Sequence, residues 1–579
     1  MGELNLQVRR IPRHLQKYVV DQQYEKYTPI NHAVWRYVMR QNHNFLKDSA
    51  HSAYIGGLKS SAISVEKIPN VMDMNKALAP FGWGAANIDG FIPGVIFFDF
   101  QGNGILPIAS DIRKLENIQY TPAPDIIHEA AGHAPILCEE KFSEYVKLFG
   151  KIGSKALATS EEHELFEAIR TYSNLLESGK VTKEEIDAAK ANFEEKQAAV
   201  TQISEAEQIS RLYWWTVEYG LIGTVDQPQI YGAGLLSSVA EGRSSLTASV
   251  KKLPFDLQTV IETGFDITKP QPQLFVCDSF EQLIEAVNEF ASKMAFKVGG
   301  TEGLDKALRS NHTATIQYCS GLQLTGTLSR IIKDAKGEAV YIKTDGPSAL
   351  AFDNEELSGH GKATHRDGFG APIGKLVNIQ RPLENFADNE LTSLGIELGK
   401  ECTLNYESGV GLSGIPTKLV RKNDKLLLIT FTNCTVSLNN EVLFQPEWGS
   451  YDLAIGHKIM SVFAGAADSE HFYEDLEEIE TKALVTEELS PLEQLYGQIR
   501  TIRENGSSEL KKDLLAVINV LTKNFPEDWL LRIEVIELLA KLDILAEKQE
   551  LLKAQLERIK HLHEEYSVLI DRGLMLATY

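Results

Sequence analysis

The feature that most constrains this chain is a pair of histidines five residues apart, His128 and His133, in the stretch PDIIHEAAGHAPIL. Successive residues of an α-helix turn by ~100°, so residues i and i+5 of an unbroken helix point ~140° apart. The HExxH pair of a zinc peptidase, at i and i+4, shares one face instead. For both imidazoles to meet at one metal, an α-helix carrying His128 has to end before His133. Gly132 is the residue that can end it, because glycine tolerates the left-handed conformation that closes helices. Pro122, Pro124 and Asp125 mark the start. The spacing therefore predicts a short helix from about Asp125 to Ala131 and a turn that presents His133.

At 579 residues the chain is too long for a single core. Residues 1–80 read as mostly helical, with HAVWRYVMRQNHNFL carrying apolar residues at helical spacing. GWGAANIDGFIPG follows, its glycines suited to close backbone approach or to a surface loop. GVIFFDF and GILPIAS read as short strands, and LFVCDSFEQLIEAVNEFASKM as a strand and a helix closing this region near Gly299. Between them lies a long charged stretch, about 151–210, with the 3.6-residue period of a helical hairpin broken at Gly179–Lys180. Charge runs of this kind are usually solvated faces, and no chemistry is assigned to it.

Beyond about Gly300 the texture changes. TATIQYCSGLQLTGTLSRIIKD, KLVRKNDKLLLITFTNCTVSLNNEVLF and EWGSYDLAIG alternate apolar and polar residues between Gly, Asn and Asp turns. That pattern predicts a small antiparallel β barrel or sandwich of short strands over 301–470. SGHGKATHRDGFGAPIG, with His360 and His365, reads as a glycine-rich surface loop, since no acidic or cysteine ligand stands in register. From about 485 to 579 the chain is helical again, four amphipathic helices announced by Ser490–Pro491 and by Pro526–Glu527–Asp528. The last is long enough to pair with a second copy or a protein partner.

The formal charge of −22 argues against nucleic acid or an anionic membrane as partner. No apolar run approaches the ~18 residues of a membrane helix. The first residues lack the apolar core of a secretory signal, and five cysteines without a CxxC pair fit a reducing compartment. The expected location is the cytoplasm.

A second informative stretch is RLYWWTVEYGLI. Trp214 and Glu218 are i,i+4 and share a helix face. A carboxylate among Tyr213, Trp214, Trp215 and Tyr219 is costly to bury unpaired, and either a metal or an arginine would satisfy it. YGAGLLSS, at 231–238, suits tight backbone packing with hydroxyls facing a cavity. Two imidazoles and one carboxylate, His128, His133 and Glu218, occupy one face of an octahedral ion and leave three positions open, as in non-haem Fe(II) sites. A zinc hydrolase accepts the same set with a water. Aromatic walls suit an aromatic substrate or a heterocyclic cofactor, and Arg113 is a candidate fork for a carboxylate.

PDIIHEAAGHAPIL, RLYWWTVEYGL and YGAGLLSS, in that order, closely resemble the pterin-dependent aromatic amino acid hydroxylases. The resemblance covers roughly residues 10–300 and implies a mostly α catalytic domain over 1–300, with 151–210 as a helical insertion. It implies Fe(II) at His128, His133 and Glu218, a tetrahydropterin, O2 as co-substrate, and hydroxylation of the ring of a free aromatic amino acid. It further implies that Arg113 holds the substrate carboxylate and that Thr121, Pro124, Trp214, Tyr219, Ser237 and Ile267 line the substrate pocket. Phe91 would stack on the pterin, with Gly84, Glu129 and Tyr213 contacting it. Ile267 falls where the phenylalanine hydroxylases of the family resemble one another in carrying an apolar residue and the tyrosine hydroxylases an acidic one, which implies phenylalanine as substrate. The alternatives are a tryptophan or tyrosine hydroxylase of the same family, a zinc hydrolase, or a catalytically inactive scaffold that binds a partner. The chain departs from the family in a longer stretch between His133 and Glu218 and another between Phe91 and Arg113. If residues 1–300 are a free-standing domain, a chain cut near 300 retains hydroxylation.

Overall fold

A computed structural model describes residues 11–88, 92–119, 125–178, 182–267, 269–474 and 488–577. The N-terminal region is built around one long helix, α1 (Pro29–Ser49), with Pro29 in its first turn and a capping box between Thr28 and Asn31. Strand β1 (Gly84–Ile88) runs to helix α2 (Gly94–Gly102) and strand β2 (Ile105–Ala109), and β1 and β2 pair in parallel. GVIFFDF is therefore helix, not the strand its apolar run predicts. Short apolar runs do not distinguish the two periods; tertiary packing decides. Helix α3 (Glu140–Gly153) presses on α2 so closely that a Cβ at Gly150 would stand 2.3 Å from the Gly102 nitrogen and 2.5 Å from the Phe98 carbonyl oxygen.

The charged stretch forms a hairpin of α4 (Ser160–Ser178) and α5 (Lys183–Ala199), the latter opened by a Thr182–Glu185 capping box. Its break at Gly179–Lys180 lies outside the described residues. Helix α6 (Glu205–Tyr213) leads into the YWWTVEYG stretch, and strands β3 (Leu221–Gly223) and β4 (Pro228–Ile230) into the short helix α7 (Ala233–Ser237). With β5 (Lys251–Pro254) and β6 (Gln273–Cys277), these strands make a small sheet in the order β4-β3-β6-β5.

The β-rich region holds two antiparallel sheets. The first runs β10 (Glu355–Glu356), β9 (Ala339–Phe352), β8 (Leu322–Lys333), β7 (Thr313–Tyr318) and β17 (Ile459–Ala464), with β11 (Gly368–Pro372) also on β9. The second runs β12 (Cys402–Asn405), β13 (Gly411–Lys422), β14 (Lys425–Leu438) and β15 (Glu441–Phe444), with β16 (Tyr451–Ala454) on β14. Strands β9 and β14 are 14 residues long, well beyond the short strands predicted, and their partners take up the extra length through register shifts. His360 and His365 are not on a surface loop. They are 4% and 9% exposed, and Asp452 of β16 supplies the acidic neighbour that sequence register does not reveal.

The C-terminal helices begin with α8 (Pro491–Asn505), capped by Ser490 and Glu493, and include α9 (Leu530–Leu542) and α10 (Ser567–Ala577). The expected single last helix is two. Residues 546–562 end at His563, a short 3-10 turn follows, and α10 folds back on α9. One apolar core runs from Tyr27 to Met294 and takes in Leu495 to Ala577. Arg36 of α1 pairs with Glu534 of α9, and both are buried. The Tyr37 hydroxyl donates to the Leu569 carbonyl oxygen at 2.7 Å, and its ring meets Trp529 edge-on at 5.2 Å. The helical tail thus completes the core that α1 organises. Among the described residues no helix is long and apolar enough to cross a membrane.

Candidate metal centre and cavity

HEAAGH, residues His128–His133, is a continuous π-helix rather than a helix that stops. A π turn pairs residues five apart, so widening the helix by one residue per turn brings His128 and His133 onto one face without a break. Gly132 does not take the left-handed conformation expected of a terminator. Its role is space: a Cβ there would stand 2.5 Å from the Ala233 carbonyl oxygen, so only glycine admits α7 beside the histidines. The second stretch repeats the device. Residues Trp214–Glu218 are also π, with Tyr219 N–H donating to the Trp214 carbonyl oxygen at 2.8 Å. Trp214 and Glu218 share a face as the sequence predicts, both lining one cavity, and the wider turn adds Tyr219, whose ring stacks on Trp214 at 4.6 Å.

The two π segments bring three donors together. His128 Nε2 lies 3.2 Å from Glu218 Oε2, His133 Nε2 lies 3.1 Å from Glu218 Oε1, and the two Nε2 atoms are 3.2 Å apart. Neighbouring corners of an octahedron with bonds of ~2.1 Å are ~3.0 Å apart, and those of a tetrahedron ~3.4 Å. The measured 3.1–3.2 Å falls between the two, a spacing at which one ion can bind all three side chains. The Ser237 hydroxyl donates to the Ala233 carbonyl oxygen at 2.8 Å and faces His128 Nδ1 at 3.1 Å. With its proton spent on Ala233, Ser237 accepts from Nδ1–H, which turns Nε2 of His128 to the cluster. Such a partner fixes the tautomer and aim of a ligating imidazole.

Burial disfavours charge on His128 and Glu218, yet the attraction among the neighbouring groups outweighs it. The Glu218 carboxylate raises His128 to about 9, and the two imidazoles hold Glu218 well below the ordinary carboxylate range. Glu129, by contrast, is pushed up by burial. Its Oε2 has no hydrogen-bond partner and stands 3.8 Å from His133 Nε2.

Two of the three donors, His128 and Glu218, lie on the wall of a cavity of about 1130 Å³, and His133 stands buried directly behind them. Arg113, Glu129, Tyr213, Trp214, Tyr219, Ser237 and Ile267 line it with them. Arg113 is forked onto Asp125 through Nε at 2.8 Å and Nη2 at 2.9 Å, which fixes the guanidinium in place and, among the described residues, leaves Nη1 outside the fork. Asp125 is held below its usual range because Arg113 overcomes the effect of burial. Tyr213 turns its ring to the cavity while its hydroxyl accepts from Gln101 at 2.6 Å.

Gly84 is not part of the cavity wall. It sits buried at the head of β1, paired with Ile105, four residues before Ile88, which does line the cavity. Phe91, Thr121, Pro122 and Pro124 lie outside the described residues.

Two contributors have no counterpart in the sequence reading. Phe265 stacks on Trp214 at 4.4 Å and 12°, making a three-ring layer with Tyr219; no periodic signal marks it. Glu241 accepts from the Tyr219 hydroxyl at 3.0 Å, which holds that ring in the layer. The charged hairpin, assigned no chemistry, supplies the outer wall: Leu165, Phe166 and Ile169 of α4 face the cavity. His163 stacks on His312 at 3.6 Å, tying the hairpin to the β-rich region.

A family model described as biopterin-dependent aromatic amino acid hydroxylase matches residues 14–192 and 196–299. The phenylalanine-4-hydroxylase of Chromobacterium violaceum is 28% identical over 271 residues, 46% of this chain and 76% of that protein. That of Pseudomonas aeruginosa is 28% identical over 264 residues, 45% of this chain and 84% of its own. A solved structure of the Chromobacterium violaceum enzyme with bound iron(III) and oxidised cofactor 7,8-dihydrobiopterin aligns at 26% identity and a TM-score of 0.38, covering 50% of this chain and 92% of that one.

Proposed function

We propose, on the premise that the N-terminal half of this chain is a pterin-dependent aromatic amino acid hydroxylase domain of the phenylalanine hydroxylase kind, that the cavity hydroxylates the ring of free phenylalanine to give tyrosine. The observation that carries the proposal is the convergence of His128, His133 and Glu218 at 3.1–3.2 Å beside a cavity layered with aromatic rings, with His128 and Glu218 on its wall. Two nitrogens and a carboxylate in one face suit Fe(II). The cavity also fits a pterin: the buried Glu129 Oε2 and Trp214 Nε1 both lack hydrogen-bond partners, and a heterocycle edge carries complementary groups. Ferrous iron with a tetrahydropterin supplies the O2 activation that ring hydroxylation needs.

The chain's own residues do the rest. Arg113, braced by Asp125, offers its remaining N–H groups to the amino acid carboxylate. Trp214, Tyr219 and Phe265 fix the plane against which an aromatic ring stacks. Ser237 aims His128, and the apolar side chains of α4 keep water from the reacting ring. Ile267 on the wall offers no acceptor for a phenol, which favours phenylalanine over tyrosine.

The test is product identification with phenylalanine, tyrosine and tryptophan side by side, using full-length protein, Fe(II) and tetrahydropterin. Tyrosine formed from phenylalanine at the highest kcat/KM supports the proposal. Iron bound with no hydroxylated product from any of the three would end it.

A further inference from the structure

His360, His365 and Asp452 form a second donor set, far from the cavity in sequence and built from different elements. The loop between β10 and β11 carries both histidines, and its backbone is pinned to β9 at each. Leu350 N–H donates to the His360 carbonyl oxygen at 2.9 Å, and Ser348 N–H to that of His365 at 3.0 Å. Asp452 comes from β16 in the other sheet. The Thr430 hydroxyl of β14 donates to Asp452 Oδ1 at 2.5 Å, which turns Oδ2 toward the imidazoles. Oδ2 stands 3.4 Å from His360 Nδ1 and 3.7 Å from His365 Nε2, and the three ligand atoms all lie within 4.8 Å of one another.

The polar bookkeeping of this site does not close within the protein. His360 is 96% buried, yet neither of its ring nitrogens has a hydrogen-bond partner, and the buried Nε2 of His365 has none either. A structure seldom leaves three such atoms in one place unsatisfied, and a single aspartate oxygen cannot serve them all. The group of Cys319, Glu384 and His457 is better satisfied. There the thiol donates to Glu384 Oε1 at 3.0 Å and His457 Nδ1 lies 2.6 Å from the same oxygen, so all three side chains are hydrogen-bonded to one another and Glu384 Oε2 alone lacks a partner.

We propose that His360, His365 and Asp452 bind a divalent transition-metal ion, zinc by its donor preference, which clips the two β-sheets together. Two imidazoles and a carboxylate are zinc ligands; the aspartate stands from His360 at the ~3.4 Å edge of a tetrahedron with ~2.1 Å bonds and from His365 at a slightly longer 3.7 Å, which a small inward shift on metal binding closes. The iron-type cluster is tighter. Thr430 acts as the outer partner that aims a ligating carboxylate, and Phe369, edge-on to His365 at 5.2 Å, forms part of an apolar shell. A water completes the four-coordinate shell. The ion joins the loop of one sheet to a strand of the other, so the site stabilises the β-rich region rather than performing catalysis.

The test uses full-length protein stripped with chelator, reloaded with zinc and dialysed, then measured for bound metal and for Tm. Wild type is expected to retain one equivalent more than Asp452→Asn and one more than His360→Ala/His365→Ala. The reciprocal variant His133→Ala/Glu218→Gln is expected to keep the β-region equivalent and to gain Tm on zinc addition, a gain absent once Asp452→Asn is added. Asp452→Asn is nearly isosteric and keeps the comparison open if the double histidine variant fails to fold. Equal zinc in wild type and Asp452→Asn would overturn the proposal, as would no zinc and no Tm gain in His133→Ala/Glu218→Gln.

Discussion

Replacing Glu534 with Gln tests whether the C-terminal helices are energetically part of the core that α1 organises. Glu534 lies between Arg36 of α1, at 2.8 Å, and Arg503 of α8, at 3.1 Å, with side-chain exposures of 4%, 1% and 6%. Burial alone would raise its carboxyl, but the two guanidiniums outweigh burial and hold it down to about 2 from an ordinary 4.5. That depression corresponds to roughly 3 kcal/mol of stability at neutral pH. The folded value lies below the unfolded one, so this stability is fully present above about pH 4.5 and is lost as pH falls toward 2. Removing the charge also takes the buried Arg36 from its carboxylate partner and leaves Arg503 with Glu537, and breaking a buried pair typically costs about 3–5 kcal/mol. The assay is urea unfolding of wild type and Glu534→Gln at a series of pH values from 7 down to 3. The expected result is a deficit of about 3 kcal/mol at pH 7 that narrows as the pH falls below 4.5. A deficit under about 1 kcal/mol at pH 7, or one that stays constant to pH 3, would refute the reasoning.

Three further outcomes follow from the site and the core. Gly132→Ala, whose new Cβ meets the Ala233 carbonyl oxygen at 2.5 Å, should cost about 1–3 kcal/mol in thermal unfolding and weaken iron binding by displacing α7. Ser237→Ala removes the acceptor on His128 Nδ1 and should lower iron affinity by about 10–100-fold in chelator competition, with Tm changed little. A chain cut after Gly299 should fail to unfold cooperatively, because Arg36 and the Tyr37–Trp529 contact lose their partners. Retained cooperative unfolding in that fragment would show that the tail is dispensable, as the sequence reading supposed.

Much of the candidate site is legible along the chain, because its residues sit in short local motifs. HEAAGH, YWWTVEYG and YGAGLLSS each occupy a few residues, and their chemistry follows from residue type and spacing. The start of an element is equally readable where the signal is local: Ser490–Pro491 opens α8. Periodicity was less informative where packing overrides it. A run such as GVIFFDF satisfies strand and buried helix alike, and the contact of Gly102 with Gly150, nearly fifty residues on, selects the helix.

What the sequence by itself determined is the donor set and its order: two imidazoles five apart, a carboxylate much later, and an arginine upstream. Tertiary structure alone decided how they meet. The i,i+5 pair is reconciled by a π-helix, which a local 3.6-residue period cannot foresee, and Gly132 serves the approach of α7 rather than a helix end. It also decided that Phe265 joins the aromatic layer, that the charged hairpin walls the cavity, and that Asp452 stands beside His360 and His365. The physical reason is common to these cases. Each depends on which surfaces of distant segments are driven out of water together, and a buried contact across tens or hundreds of residues leaves no pattern in the neighbourhood of either partner.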